Sequence, residues 1–274
     1  MTKKVIVYHI CLVLLTTGAM AQETYDVIST TGVITNKKTG KVLQEGSQVT
    51  LQTEFQFSSL YDRAVLLGSS KTKHFLELPK SSFVNQQLTI TSDQALSPVK
   101  NRPKLITGIR GSAALITDGV SAQTLKEYFG TDTFTVIGTE LALPVTKLDA
   151  KKYGLLLRYE NGNQVEECAL SNFTVVKKGL KIQGNHIAEC FVLLKDGEQI
   201  IPITQISLYF VDRIQLFREF DSLLKALNQK KTEKDLVGEI LRQYCTDVYG
   251  NIDRTTLERA IDEYLAVNKN YLAS

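Results

Sequence analysis

Residues 153–212 constrain the fold most tightly, because two turn-forming dipeptides sit there between alternating apolar runs. Tyr153, Leu155, Leu157 and Tyr159 alternate with Gly154, Leu156, Arg158 and Glu160, the period of a strand whose successive side chains face opposite ways. Asn161-Gly162 follows, a favoured pair for the two positive-φ positions of a type I′ turn. A two-residue loop at that point sets Leu155 opposite Cys168 and Tyr153 opposite Leu170, leaving an apolar stripe. Asp196-Gly197 repeats the device, with Lys195 facing Glu198, Leu193 facing Ile200 and Val192 facing Ile201. Both faces of this second hairpin are apolar, so it belongs in a sheet covered on both sides. Pro202 lacks the ladder donor and points to an edge or a strand end.

The flanking segments follow the same logic. Short strands are expected at 25–29, 32–35, 41–43, 48–53, 64–67, 74–78 and 88–91, separated by Gly- and Ser-rich turns. They suit a small, strongly bent SH3-like β-barrel over 23–100. Two prolines and several charges from Ser97 to Pro103 mark a linker, placed at 101–112. Strands at 113–116, 134–137, 140–143, 174–177, 179–183 and 206–212, with the two hairpins, give an antiparallel Greek-key β-sandwich over 113–212. A short helix at 121–129, capped by Ser121 or Asp118 and stopped by Gly130, interrupts them.

From Arg213 the period becomes helical: Ile214, Phe217, Phe220, Leu224 and Leu227, then Leu236, Ile240, Leu241 and Tyr244, then Leu257, Ile261, Tyr264 and Leu265. This three-helix tail, 213–274, must bury its apolar faces on itself, on the sandwich or on a protein partner. The fold class expected is therefore mainly β, and α+β overall.

At the other end, Lys3 and Lys4 precede an apolar run from Val5 to Leu15 and a small-residue exit at Ala19-Met20-Ala21. That is the pattern of a signal peptide over 1–22, cut before Gln22, and it implies an extracytoplasmic location. The run is too short for a membrane anchor, and no later run is long enough to span a bilayer. Losing Lys3 and Lys4 brings the 32 basic residues to within one of the 29 acidic ones. A near-neutral chain without a concentrated basic face argues against nucleic acid; Lys100, Arg102, Lys104 and Arg110 are the only local basic cluster and read as a solvated linker.

Three cysteines remain after the leader. Cys168 and Cys190 are the natural pair for a disulfide, closing a loop of about 22 residues with a gain of roughly 3 kcal/mol, against the alternative of two buried thiols. Cys245 is left over. No catalytic set assembles from sequence. His186 and Cys190 share a strand face at about 13 Å, too far for an activated thiol. The loop from Asp247 to Asp253 has Gly250 and Ile252 in EF-hand order but lacks the first Asp and the closing Glu; a helix ended by Gly250 and a new one capped by Asp253 explains the same residues. Two histidines, His74 and His186, make a poor zinc set, Gly68 to Thr72 lacks the first Gly of a phosphate loop, and Glu166 and Glu167 face apart. No cofactor is implied.

The leader ending in Ala21-Gln22, the stretch Tyr153-Gly-Leu-Leu-Leu-Arg-Tyr159 with its Asn-Gly turn, and the helical tail together resemble a group of exported bacterial β-rich proteins with no assigned activity. The resemblance implies location and architecture only. The function expected is non-enzymatic binding or scaffolding in the cell envelope, with a protein partner through the tail. Alternatives are a hydrolase or thiol enzyme using Cys168 or Cys190, and recognition of glycan or peptide.

Overall fold

The computed structural model describes residues 23–79, 82, 88–99, 122–143, 153–161, 164–182, 184–228 and 233–272. The expected strand at 113–116 and the basic linker cluster lie outside them. Contacts divide the chain into two compact units, Met1–Pro98 and Val99–Ser274. Strands predominate, helices follow, and most pairing is antiparallel.

The first unit contains β1 (Thr24–Thr31), β2 (Ile34–Asn36), β3 (Gln48–Thr50), β4 (Glu54–Phe57), β5 (Arg63–Gly68), β6 (Lys73–Glu77), β7 (Thr89–Thr91), a single turn α1 (Ser92–Ala95) and β8 (Leu96–Pro98). These form a five-stranded sheet, β3-β1-β5-β6-β8, and a three-stranded one, β2-β4-β7, rather than the closed barrel expected. Val27, Ile34, Phe55, Phe57, Leu66 and Leu76 fill the core they share. A bulge between Val27 and Ser29 bends β1, as an unpaired extra residue does. Gly32 is required at the next corner: its φ is +80°, and a Cβ there would lie 1.9 Å from Asp62 Oδ1. Asp62 is fixed, because its Oδ2 accepts from Ser58 N, Ser59 N and Ser58 Oγ.

The second unit opens with α2 (Ala122–Phe129), β9 (Thr133–Ile137) and β10 (Glu140–Ala142). Then come β11 (Tyr153–Asn161), β12 (Gln164–Ala169), β13 (Thr174–Val176), β14 (His186–Asp196) and β15 (Gln199–Val211). The helices α3 (Arg213–Ala226), α4 (Lys234–Tyr249) and α5 (Arg254–Val267) finish it, with a two-residue strand, β16 (Asn251–Ile252), between the last two. Gly179, expected to begin a strand, instead ends a 3-10 turn, Lys177–Gly179, and residues 180–182 form no strand.

Six strands form one sheet in the order β12-β11-β14-β15-β9-β16. The antiparallel expectation holds for β11, β12, β14 and β15 and fails at β9, which runs parallel to both β15 and β16. The helical segment accounts for the direction of β16. After β15 the chain crosses over through α3 and α4 and returns as β16 in the same direction, the long connection that parallel strands require. The helices are thus built into the sheet rather than appended to it.

Both hairpins form, in a register shifted from the expected one. Asn161 pairs with Gln164 and Asp196 with Gln199, so Leu157 lies opposite Cys168 and Leu193 opposite Pro202. At the second turn the two central residues are therefore Gly197 and Glu198. Only Gly197 has positive φ, +60°, which is the type II′ arrangement; a type I′ turn would also force a side-chain-bearing residue into the left-handed region. From each turn to the first bulge the shift moves every partner by two residues, so those side chains keep their faces; beyond the bulge Val192 meets Thr204, three residues from the expected Ile201. Pro202 sits where β15 has β14 on one side and β9 has not yet begun, next to a bulge between Val192 and Leu193.

One face of the sheet packs Leu155, Leu157, Tyr159, Cys190, Val192, Ile206 and Leu208 against Leu125 and Phe129 of α2 and Leu141 and Val175 of the β10-β13 ribbon. On the other face Thr135 donates through Oγ1 to Tyr249 O at 2.7 Å, seating the end of α4. The helices bury their apolar faces together: Phe220, Tyr244 and Tyr264 are fully enclosed and meet edge to face. Asp212 caps α3 by accepting from Ile214 N and Gln215 N, and Asp253 caps α5 by accepting from Thr256 N, as its position after Gly250 suggested.

Candidate functional site

An open cleft of about 520 Å³ lies in the second unit beside the middle of β15. It lies in the size range of ligand sites, but its walls are polar. Lys126 of α2 forms one side, Thr131 and Asp132 lead into β9 on the next, and Ala188 and Glu189 project from β14. Ile203, Thr204, Gln205, Ile206 and Ser207 form the floor.

Two register irregularities create this cleft. Between Ile187 and Cys190 the ladder slips, so Ala188 and Glu189 stand opposite Ser207 alone and bulge outward. The second irregularity, at Val192 and Leu193, falls opposite Pro202. Hydroxyl chemistry is absent from the floor, because Thr204 Oγ1 donates to Gly130 O and Ser207 Oγ donates to Ala188 O, each at 2.7 Å. No imidazole lines the cleft to take a proton from either.

The cysteines lie elsewhere and apart. Cys168 and Cys190 carry free thiols. Cys168 pairs with Leu157 of β11 while Cys190 pairs with Tyr159 from the far side of the same strand, so a whole strand separates them. Two inter-strand spacings amount to about 9–10 Å, beyond the Cα separation that a disulfide bridges. Burial pushes the Cys190 thiol up to about 12, and burial also raises Cys168. Neither forms the thiolate that a nucleophile needs at neutral pH.

His186 is on the wrong face as well. The bulge between Ile187 and Cys190 reverses the alternation, so Ile187 and Cys190 both point into the core, whereas His186 stacks on Tyr209 on the opposite face, centroids 3.9 Å apart. The expectation that His186 and Cys190 share a face is corrected by that extra residue. Glu166 and Glu167 do face apart, the first bonded to Lys181 Nζ at 2.9 Å and the second to Arg158 at 2.8 Å. Among the described residues no three of His, Cys, Asp and Glu converge as metal ligands.

Two polar arrangements carry no motif. In the first unit Ser70 Oγ, Thr72 Oγ1 and His74 Nε2 form a chain of 2.9 and 3.0 Å contacts, and burial lowers the His74 pKa so that its ring is neutral and able to accept. The spacing i, i+2, i+4 was the available signal, but the chain ends at an exposed serine on a hairpin tip. In the helices Glu219, fully buried on α3, accepts from Tyr249 OH at 2.6 Å, Tyr244 OH at 3.0 Å and Gln215 Nε2 at 3.0 Å. That set locks α3 to α4.

A scan against models of protein families finds no match, and no curated protein sequence matches the chain.

Proposed function

We propose that this chain is an exported, non-catalytic binding or scaffolding protein of the bacterial cell envelope. The observation that carries the reading is the commitment of its reactive groups to structure. The Cys190 thiol is enclosed and held protonated by burial, and the threonine and serine hydroxyls of the cleft floor donate to backbone carbonyls. The leader pattern before Gln22 supports export. In this reading the first unit is SH3-like in an open form, two short antiparallel sheets over one core.

The protein partner is met by side chains that remain outside. The inner faces of α3, α4 and α5 are covered by one another, while Ile214, Leu236 and Val267 are exposed. Arg213 pairs with Glu263 at 2.8 Å and Lys234 with Asp262 at 3.2 Å, so the starts of α3 and α4 both flank the last turns of α5, where these three residues lie. No helix among the described residues is long and apolar enough to cross a membrane.

Chemical cross-linking of intact envelopes followed by purification of the chain tests the reading. Recovery of a stoichiometric partner, lost on replacing Ile214, Leu236 and Val267 by Ser, is the expected result. A chain that stays monomeric and uncross-linked refutes it. The thiol-enzyme alternative is separated by Cys168→Ser and Cys190→Ser: a structural thiol changes stability alone, whereas a nucleophile abolishes turnover in a protein that melts normally.

A further inference from the structure

We infer that the outer edge of β12 is an interface between two copies of this chain, which pair antiparallel about a two-fold axis at Cys168 and so continue the six-stranded sheet into a second molecule. This goes beyond the binding reading above, which concerns a different protein met at the helices.

The edge itself is the first support. Leu170 N donates to Leu155 O at 2.8 Å, so Leu170, Cys168 and Glu166 turn their main-chain groups toward β11, whereas Val165, Glu167 and Ala169 turn theirs outward. β12 is the last strand on that side of the sheet. Among the described residues those outward groups have no main-chain partner; Cys168 Sγ gives Ala169 O a thiol contact at 3.8 Å. Val165 is 67% exposed, and Gln164, Glu167 and Ala169 are exposed as well, so the edge faces solvent. Open edges are ordinarily blunted by a proline, a lysine or a bulge, and β12 has none of these: its residues pair with β11 without a slip. Its two glutamates are each answered within the chain, by Lys181 and by Arg158, so the edge asks no charge of the molecule that covers it.

Self-complementarity selects the occupant and charge selects the register. A strand that offers outward groups at alternate positions can pair with its own copy about a two-fold axis, each contact occurring twice. Centred on Glu166 or Glu167, that pairing sets identical carboxylates directly opposite each other, which is destabilising. Centred on Cys168, it sets Glu167 opposite Ala169 of the second copy, and Ala169 opposite Glu167, with main-chain hydrogen bonds at both. The two Cys168 residues then form a non-hydrogen-bonded pair with Cα atoms about 4.5 Å apart, within the reach of a disulfide. Cys168 is partly exposed, whereas Cys190 and Cys245 are buried, so it is the thiol that can report this register.

Analytical ultracentrifugation of the full chain under reducing conditions, over a series of concentrations, tests this beside two variants at the exposed Ala169. We expect a reversible monomer–dimer equilibrium that Ala169→Glu weakens by about threefold or more, because it sets a carboxylate opposite Glu167 of the second copy, and that Ala169→Lys tightens. Diamide should then lock the dimer: each Cys168 thiol gives up its proton, the two sulfurs join, and two electrons with two protons pass to diamide, which becomes the hydrazine. Cys168→Ser should abolish the lock while leaving the reversible dimer, and Ala169→Glu should slow it. A chain that is monomeric at every concentration overturns the inference, as does a dimer indifferent to both Ala169 changes or one that diamide does not lock through Cys168. Should Ala169→Glu fail to fold, the lock and Ala169→Lys decide. A cross-link from Cys168 to a different protein in intact envelopes, in place of the homodimer, also overturns it. The surface is separate from Ile214, Leu236 and Val267, so failure here leaves recovery of an envelope partner at the helices untouched.

Discussion

Cys190 is enclosed by Tyr159 across the ladder and by the core between the sheet and α2. Its pKa is raised to about 12 by burial, while the unfolded thiol ionises near the ordinary thiol value of 9.0. The native state therefore holds a proton that the unfolded state releases, and this contribution is intact below pH 9 and is lost as pH rises from 9 toward 12. Melting temperature should fall across that window, and Cys190→Ala should flatten the part of the slope that begins near pH 9. Half-buried Tyr128 and buried Tyr264, raised by burial with Asp253 and Asp221 beside them, act in the same direction higher up. Alkylation by iodoacetamide at pH 8 should spare Cys190 in the folded protein and modify it in denaturant. Gly130 makes a second test. Its φ is +76°, and a Cβ would come within 2.1 Å of Asn251 Nδ2, the donor that ties β16 to Phe129 O. Gly130→Ala should lower stability by about 1–2 kcal/mol in urea denaturation, through backbone strain and loss of that hydrogen bond.

Between elements, Glu219 is the pin. Tyr244 and Tyr249 reach it from α4, and Gln215 from one turn earlier on α3. Glu219→Ala leaves two tyrosine hydroxyls without their acceptor in a closed interior, and should cost about 3 kcal/mol, read as a lower urea midpoint with loss of helical circular dichroism. Asp253 joins two elements, since it caps α5 through Thr256 N at 2.8 Å and accepts from Tyr128 OH of α2 at 3.1 Å. Asp253→Ala should cost about 1–2 kcal/mol, more than an isolated cap, and the double change with Tyr128→Phe should be less than additive. The elements themselves were largely legible. Apolar residues at threes and fours from Ile214 onward marked three helices, and Gly250 and Asp253 marked the break. Asn251 and Ile252 were not legible as a strand, because two residues carry no period; only the open edge of β9 makes them one.

At the scale of the whole molecule, the leader reading makes one direct prediction: intact mass of the protein isolated from the envelope should correspond to a chain beginning at Gln22, with or without cyclisation of that glutamine. A mass retaining residues 1–21 refutes export by cleavage. The alternation from Tyr153 to Tyr159, the glycine-bearing turns and the helical period after Arg213 determined by themselves that the second unit would be hairpins followed by helices, because side-chain period is a local property of the backbone. The cleft was invisible at that level. It exists because the ladder slips at Ala188 and Glu189 and because β9, more than 70 residues earlier, begins only opposite Ser207. The same slip sent His186 to the face away from Cys190, and the strand order, with β11 between β12 and β14, set a full strand between Cys168 and Cys190. Register and strand neighbours are fixed by which surfaces pack against which, so they were decided only when the distant segments met.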